Sequence, residues 1–254
     1  KFDAVTALDI IERENITMIG LVPTIARLLI PEIEKRPKAV ATVRLMVATG
    51  EAFPVDLKVR LAASAPNIGL YTCYAAKLKN TSVYAFEPSV FNIELLTKNV
   101  FINQLSKKVT IVPFPLVDKI KESEFNMSST DHGGATSTFS QDYTHDGSKL
   151  IEKFNYRTVG ISMDQAISLL KLPQPNYIKM DVDGIEHLIL KGGSEVLKKT
   201  KSLLVEVDDK FEIQKQNTTE YLRNAGFKLA EKRHSRLFDG TKYETCFNQI
   251  WEKN

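Results

Sequence analysis

The residues best suited to chemistry are acids that stand directly after short apolar strands. Glu87 follows the strand-like run Val83–Phe86, and Pro88 ends the possible strand ladder one residue later. In an open α/β sheet, ligands bind in the crevice outside the carboxyl ends of the strands, where an acid accepts hydrogen bonds from the ribose hydroxyls of a nucleotide-like cofactor. The alternative is an exposed acid that caps the helix that follows.

A second group of acids follows the strand-like run Tyr177–Met180. Asp181, Asp183 and Glu186 surround a glycine in the segment DVDGIE, and they form the strongest local signal in the chain. Acids at the end of a central strand can bind a ligand or move a proton. The alternative is structural: Asp183 and Gly184 form a turn, and Asp181 caps the next helix.

Apolar strands alternate with amphipathic helices along the chain, which predicts an α/β fold with a parallel sheet. Helices are predicted at residues 3–14, 24–35, 55–63, 187–199 and 218–225, with a further one starting near Ser162 or Asp164. Strands are predicted at residues 16–22, 43–48, 83–86, 109–112, 177–180 and 203–207, with an antiparallel pair at 227–233 and 245–251. Residues 121–148 are rich in small polar residues, which predicts a mobile loop, and we favour a lid on the substrate side.

Composition excludes several classes of protein. With 34 basic and 31 acidic residues, the net charge of +3 is too balanced to predict nucleic-acid binding. No apolar run reaches the length of a membrane span, and neither a membrane partner nor a signal peptide is expected. Cys73 and Cys246 predict no disulfide framework and fit a cytoplasmic, reducing location. His132 and His145 have no carboxylate or cysteine at ligand spacing, so no metal site is predicted.

The N-terminal quarter carries a first resemblance. The segments FDAVTALDIIERENITMIGLVPTIARLLI and VRLMVATGEAFP give the order helix, strand, VPT turn, helix, and then a GEAFP turn. In this order, residues 2–66 resemble part of the adenylate-forming (AMP-binding) superfamily. The chain lacks the Gly/Ser/Thr-rich phosphate loop of that chemistry, and no later segment supplies its ribose acid and lysine in order. An active adenylating enzyme is therefore not expected.

The rest of the chain carries a second resemblance, in six segments. They read NIGLYTCYAA, VYAFEPSVFNIELLTKNVFIN, VPFPLVDK, YIKMDVDGIEHLILKGG, LLVEVDDKFE and YETCFNQIWEKN. In content and order they resemble the FkbM family of S-adenosylmethionine-dependent methyltransferases. The resemblance implies a Rossmann-like seven-stranded methyltransferase sheet with a final antiparallel strand in residues 67–254, preceded by a separate α/β fragment in residues 1–66.

The same resemblance implies S-adenosyl-L-methionine as the cofactor and assigns residues to it. The implied cofactor-binding residues are Asn67, Gly69, Tyr71, Glu87, Pro88, Asp118 and Asp181. Asp118 is expected near the exocyclic amine of the adenine, and the alternative is a loop acid beside Lys119. Asp183 and Glu186 are expected on the substrate side of the site.

The glycine pattern favours this cofactor over a dinucleotide. Glu87 follows Gly69 by 18 positions, close to the roughly 20 expected between a glycine turn and its ribose acid. The pattern G-x-G-x-x-G exists so that the backbone can approach a pyrophosphate, and here the segment NIG offers a single glycine. S-adenosylmethionine has no phosphates, so one glycine and a strand-end acid suit it better.

One segment departs from the family pattern. Its members place a strand ending Asp-x-Gly-Ala directly before Asn-Ile-Gly, whereas residues 61–66 here read LAASAP, which predicts a helix end and a proline stop. The N-terminal α/β segment is therefore expected to replace the usual first strand. Either residues 43–48 or another N-terminal strand fill the vacant position, or the sheet is built around a gap. Cofactor affinity should suffer in each case.

Methyl transfer is an in-line displacement at a sulfonium carbon, so much of its rate can come from holding acceptor, methyl and sulfur collinear. A hydroxyl acceptor also needs a base within hydrogen-bond reach. Asp181 is the candidate for that base or for orienting the acceptor, and His187 is the second candidate. The predicted function is O-methylation of a small-molecule acceptor, a sugar or a secondary metabolite. The alternative is a catalytically impaired chimera or a fragment of a multidomain adenylating synthetase.

Overall fold

The structure is a computed structural model of the 254-residue chain. It describes residues 2–16, 18–21, 23–40, 43, 45–48, 69–78, 81–130, 136–234, 239–241 and 243–253. The chain divides into two compact units, Lys1–Val83 with Leu95–Val109, and Tyr84–Glu94 with Thr110–Asn254. The predicted boundary after Pro66 falls outside the described residues and stays a prediction.

The first unit begins with alternating helices and strands, as its apolar pattern predicts. Its elements are α1 (Ala4–Arg13), β1 (Met18–Leu21), α2 (Pro23–Lys35), a short 3₁₀ helix (Pro37–Val40), β2 (Leu45–Ala48) and α3 (Leu70–Leu78). Strands β1 and β2 pair in parallel, with Met18 opposite Leu45. The helix predicted at residues 55–63 lies outside the described residues.

Helix α1 shows how the sequence fixes the local structure of this unit. Asp3 caps its N-terminus, because the Asp3 carboxylate accepts a hydrogen bond from the backbone N–H of Val5 at 3.1 Å. Leu8 and Ile11 lie one turn apart on the same face of the helix and are buried. They pack into a core with residues of α2 and the 3₁₀ helix, namely Leu29, Ile30, Ile33, Ala39 and Val40.

The centre of the chain contains β3 (Val83–Phe86) and β4 (Val109–Val112), both at their predicted limits, with α4 (Val90–Ile102) between them. Strands β3 and β4 are hydrogen-bonded neighbours. The pairing continues past the end of β3, since the backbone N–H of Glu87 donates to the carbonyl oxygen of Val112 at 3.2 Å. Glu87 is thereby held at the carboxyl end of the strand pair.

The second unit is built on a four-stranded sheet. Its strands are β8 (Tyr177–Met180), β9 (Ser202–Asp208), β10 (Lys228–Arg233) and β11 (Cys246–Glu252), and their spatial order is β10-β11-β9-β8. Strands β8 and β9 are parallel, whereas β11 runs antiparallel to both β9 and β10. The predicted closing antiparallel pair is therefore confirmed. Trp251 of β11 is buried in the core of this unit.

Four helices of the second unit accompany this sheet. They are α5 (Met163–Leu170), α6 (Glu186–Lys191), α7 (Ser194–Lys199) and α8 (Glu212–Asn224). Ser162 and Gln165 form a capping box at the start of α5, which confirms the predicted helix start. The single helix predicted at residues 187–199 is wrong, because Gly192 and Gly193 separate α6 from α7. A Cβ atom at Gly192 would collide with the carbonyl oxygen of Val117, so this break allows the close approach of two backbones.

The loop predicted at residues 121–148 is wrong for much of its length. Two strands form there, β5 (Lys121–Met127) and β6 (Ser137–Phe139), and with β7 (Phe154–Gly160) they make a three-stranded antiparallel sheet of order β6-β5-β7. Phe125, Met127 and Phe139 are buried in the core of the second unit, and this burial outweighs the polar composition of the segment. Residues 131–135 lie outside the described part of the chain.

The α/β class is confirmed, and the seven-stranded sheet stays a prediction. Among the described residues, no strand pairing joins the β3–β4 pair to the four-stranded sheet. Strand β2 pairs with β1. Residues 61–66 lie outside the described chain, so the replacement of the first strand also stays a prediction. In the part of the chain that the structure describes, each helix is too short or too polar to cross a membrane.

Candidate functional site

The DVDG turn after β8 is held from inside by Glu186. This side chain is only 1% exposed. One of its carboxylate oxygens accepts from the backbone N–H of Val182 at 3.0 Å. The other accepts from Gly184 N–H at 3.1 Å and from the Gln214 amide at 2.6 Å. Glu186 therefore supports the turn, and its expected place on the substrate side of the site stays a prediction.

Burial also changes the proton affinity of Glu186. Loss of hydration raises the pKa of Glu186 to about 7, against the opposing effect of the hydrogen bonds from Val182 and Gln214. Gln214 in turn accepts from the backbone N–H of Asp208 at 2.8 Å. One buried side chain therefore connects the acid of the turn to the end of strand β9.

Asp183 connects the same turn to strand β6. Its backbone adopts a left-handed conformation with φ of 57°, which Asp tolerates better than most residues. Its carboxylate accepts from the backbone N–H groups of Thr136 and Ser137 at 3.1 and 3.2 Å. Burial, and then the charge of Asp181, raise the pKa of Asp183. The predicted turn at Asp183 and Gly184 is thus present.

Asp181 is the acid of this group that faces solvent. Its side chain is 43% exposed and forms an ion pair with Lys179. An exposed ion pair of this kind stabilises a protein by about 0–1 kcal/mol, so a ligand can displace it at little cost. The predicted cap of the next helix by Asp181 is absent, because the N-cap position of α6 is Ile185 and no side chain among the described residues caps its first turn.

Glu206 of β9 is an acid that sequence reasoning did not assign to the site. Burial, followed by the charges of Asp181 and Glu186, raises the pKa of Glu206 to about 8. The sequence did show acids near the end of this strand, in the segment EVDD, but it gave no sign that Glu206 would face Asp181. Only the parallel pairing of β8 with β9 brings the two carboxyl groups together.

Glu87, at the end of strand β3, lies close enough to Asp183 for the charge of Asp183 to affect the pKa of Glu87. One of its carboxylate oxygens accepts from the backbone N–H of Ser89 at 2.9 Å, so the predicted alternative, an acid at the start of the next helix, describes part of its role. Burial raises the pKa of Glu87 to about 7, and the nearby charge of Asp183 adds to this rise. The structure thus brings Glu87 and Asp183 within electrostatic reach of each other.

The remaining predicted residues have varied positions. His187 is buried, its Nδ1 atom has no hydrogen-bond partner among the described residues, and burial lowers the pKa of its imidazole. The carbonyl oxygen of Pro88 accepts from the Tyr156 hydroxyl at 2.5 Å. Asp118 forms an ion pair with Lys121, with 3.5 Å between its carboxylate oxygen and the ammonium nitrogen, and its place near the adenine stays a prediction.

The predicted residues of the glycine segment belong to the first unit. Gly69 has φ of +85°, a conformation that favours glycine, and it directly precedes α3. A Cβ atom there would lie 2.7 Å from the side chain of Leu96. Tyr71 is 57% exposed on α3, and Asn67 lies outside the described residues.

We expect Gly184→Ala to destabilise the protein by about 3 kcal/mol, from backbone strain and overpacking together. Gly184 has φ of +112°, and a Cβ atom would lie 2.6 Å from the carbonyl oxygen of Thr144. Gly240→Ala is the matched control, because Gly240 has φ of +70° and no atom of the described residues lies within 4 Å of its Cβ position. The control should lose only the strain, about 1 kcal/mol. Urea unfolding measures both, and equal losses would contradict this account of the turn.

Comparison with known proteins identifies the family. The model of the methyltransferase FkbM domain matches residues 64–229, which is well over half of the chain. The chain therefore belongs to the FkbM methyltransferase family. It is similar to the hexuronic acid methyltransferase AglP of Haloferax volcanii, with 29% identity over 141 residues. The alignment covers 56% of this chain and 52% of AglP, so the chain spans about half the length of that relative.

Two solved structures are also similar to this chain. The methyltransferase FkbM of Methylobacillus flagellatus KT has 15% identity and a TM-score of 0.48, over 72% of this chain and 41% of that protein. An rRNA methylase of Streptococcus thermophilus has 10% identity and a TM-score of 0.40, over 100% of this chain and 97% of that protein. Similarity this loose does not define equivalent residue positions.

Proposed function

We propose that this protein is an S-adenosylmethionine-dependent O-methyltransferase that acts on a hydroxyl group of a sugar or a secondary metabolite. One observation carries the proposal: Glu87, at the end of β3, and Asp183, in the turn after β8, lie within electrostatic reach of each other. Membership of the FkbM methyltransferase family supports it.

The charges of these acids fit the methyl donor. S-adenosylmethionine carries a sulfonium and an ammonium group against one carboxylate, so it is a net cation, and an acidic site attracts it. Glu87 in its ionised form only accepts hydrogen bonds, which matches the two donating hydroxyls of a ribose. When bound, the cofactor supplies an activated methyl group. Pro88 and Asp118 are proposed to border the nucleoside, and Asn67, Gly69 and Tyr71 keep their predicted roles.

Asp181 is proposed to hold the acceptor hydroxyl and to take its proton. It is exposed enough to meet a substrate, whereas His187 is buried, so His187 stays the second candidate. Asp183 is also proposed to border the acceptor, although its carboxylate already accepts hydrogen bonds from two backbone N–H groups at the start of β6. The rate should come mainly from holding the acceptor oxygen in line with the methyl group.

A sugar bearing a carboxylate is the first acceptor to test, because the relative AglP is a hexuronic acid methyltransferase. The experiment follows transfer of a radiolabelled methyl group from S-adenosylmethionine to a panel of uronic acids, neutral sugars and phenolic metabolites. Base-stable product on a hydroxyl is expected. Base-labile product would indicate methyl-ester formation and would contradict O-methylation at a hydroxyl.

The second candidate function is an inactive chimera or a fragment of an adenylating synthetase, suggested by the resemblance of residues 2–66 to the AMP-binding superfamily. The described elements of that segment, α1 to β2, agree with its predicted helices and strands but contain no test of the superfamily. An inactive chimera or a synthetase fragment is predicted to show no saturable binding of S-adenosylmethionine. A small-molecule partner and a cytoplasmic location belong to the methyltransferase proposal.

Asp181→Asn should lower kcat by about 100-fold or more, since general-base contributions are typically of this size. The affinity for the cofactor analogue S-adenosylhomocysteine should change little, because the proposed role concerns the acceptor. Steady-state kinetics measure the first quantity and calorimetry the second. Asp9→Asn is the control, since it also removes an exposed ion pair, with Arg36. A kcat within a few-fold of the wild-type value would remove Asp181 from the mechanism.

A further inference from the structure

A compact group of three potential metal ligands lies in the second unit. The side chains of His145, Asp208 and Cys246 are 7%, 1% and 1% exposed. Their ligand atoms all lie within 4.8 Å of one another. The Cys246 sulfur is 3.4 Å from an Asp208 carboxylate oxygen, and the His145 Nε2 atom is 4.0 Å from the same oxygen.

The protein backbone holds two of these ligands in fixed positions. Asp208 ends strand β9, Cys246 begins strand β11, and the two residues are direct partners in the antiparallel ladder. The other carboxylate oxygen of Asp208 accepts from the backbone N–H of Lys210 at 2.8 Å. This bond leaves the oxygen shared with Cys246 pointing at the group.

The third ligand belongs to a tight turn. Asp146 accepts from the backbone N–H of Ser148 at 3.0 Å, and Thr144 N–H donates to the carbonyl oxygen of Ser148 at 2.8 Å. The His145 ring packs on Tyr243, with 4.7 Å between ring centroids. His145 is therefore positioned by the turn on one side and by the ring of Tyr243 on the other.

From this geometry we propose that His145, Asp208 and Cys246 bind a divalent transition-metal ion of the zinc type. A thiolate, an imidazole and a carboxylate together are typical zinc ligands. Around a tetrahedral ion with bonds of about 2.0–2.3 Å, ligand atoms lie about 3.3–3.5 Å apart. The 3.4 Å separation already lies in this range, whereas the 4.0 Å separation and the His145–Cys246 separation, which is within 4.8 Å, contract when the ion binds. A water molecule would be the fourth ligand, as in zinc sites with three protein ligands.

Charge balance supports the same ion. Thiolate and carboxylate together carry two negative charges, which one divalent cation neutralises while His145 stays neutral. On binding, the thiol proton leaves to solvent and the sulfur–metal bond replaces the hydrogen bond from Cys246 to Asp208. The ion would link the turn that contains His145 to strands β9 and β11.

The test titrates the metal-free chain with Zn²⁺ against a chromogenic chelator, and with Co²⁺ followed by absorption. One equivalent of Zn²⁺ should bind, and Co²⁺ should give tetrahedral d–d bands with a thiolate charge-transfer band. Cys246→Ser, His145→Gln and Asp208→Asn should each weaken Zn²⁺ binding by about 100-fold or more. Zn²⁺ should raise the melting temperature of the wild-type chain and leave that of these variants unchanged.

Cys73→Ser is the matched control, because it removes the other thiol of the chain and leaves all three proposed ligands in place. Cys73 belongs to the first unit, and its replacement leaves Cys246 as the single thiol. The thiolate charge-transfer band must persist in this variant. Its loss there, no binding of Zn²⁺ to the wild-type chain, or unchanged Zn²⁺ affinity in all three ligand variants would each overturn the proposal.

Discussion

Glu87→Gln should weaken the binding of S-adenosylhomocysteine by about 70-fold. The substitution keeps the size of the side chain and one oxygen to accept from Ser89 N–H, but it removes the charge. Hydrogen bonds to a charged group contribute about 1.5–3 kcal/mol, so the loss of about 2.5 kcal/mol at the ribose corresponds to this factor. Calorimetry at pH 8 measures it, because a carboxyl group with a pKa of about 7 is mainly ionised there.

Glu220→Gln provides the matched control for this measurement. Glu220 is exposed on helix α8 and loses the same charge on substitution. Its dissociation constant should stay within about two-fold of the wild-type value, as expected for an exposed surface position. If both variants bind equally well, Glu87 does not contact the ribose, and the proposed site loses its central residue.

Glu186→Ala should lower the free energy of unfolding by about 3–5 kcal/mol. Three donors lose their acceptor: the partly buried N–H group of Val182, the buried N–H group of Gly184 and the buried amide of Gln214. Gln214→Ala removes one of these donors but leaves Glu186 in place, so it should lower the free energy of unfolding by less than Glu186→Ala does. Urea unfolding checks both variants, with Glu220→Ala as a surface control near zero. A loss below about 1 kcal/mol would show that Glu186 does not hold the turn.

The same variant should flatten the dependence of stability on pH. The pKa of Glu186 is about 7 in the folded chain and has its ordinary value of 4.5 in the unfolded chain, so the folded state binds the proton more tightly. This contribution to stability is complete below about pH 4.5 and disappears as the pH rises through 7. The unfolding free energy of Glu186→Ala should therefore fall less between pH 5 and pH 8.

The sequence predicted well wherever a short-range pattern determines the structure. Strand β8 and its acids follow from an apolar run that stops at Asp181, and the turn follows from Asp183 and Gly184. The start of α5 follows from the capping pair Ser162 and Gln165. In each of these cases, residues close in sequence make the bonds that fix the element.

Features that depend on contacts between residues distant in sequence could not be predicted in the same way. Strand β5 lacks a clear alternation and exists because β6 and β7 pair with it on both sides. The structural role of Glu186 depends on Gln214, which lies 28 positions away on another helix. The proximity of Cys246 to Asp208 depends on the register of β11 against β9, which a search for local ligand spacing cannot detect.

The most direct test of the central claim is a crystal structure of this chain with S-adenosylhomocysteine. The account predicts both ribose hydroxyls about 2.7 Å from the Glu87 carboxylate, the usual length of an O–H···O bond, with the sulfur facing Asp181. A nucleoside bound elsewhere, with Glu87 still bonded only to its own helix start, would contradict it.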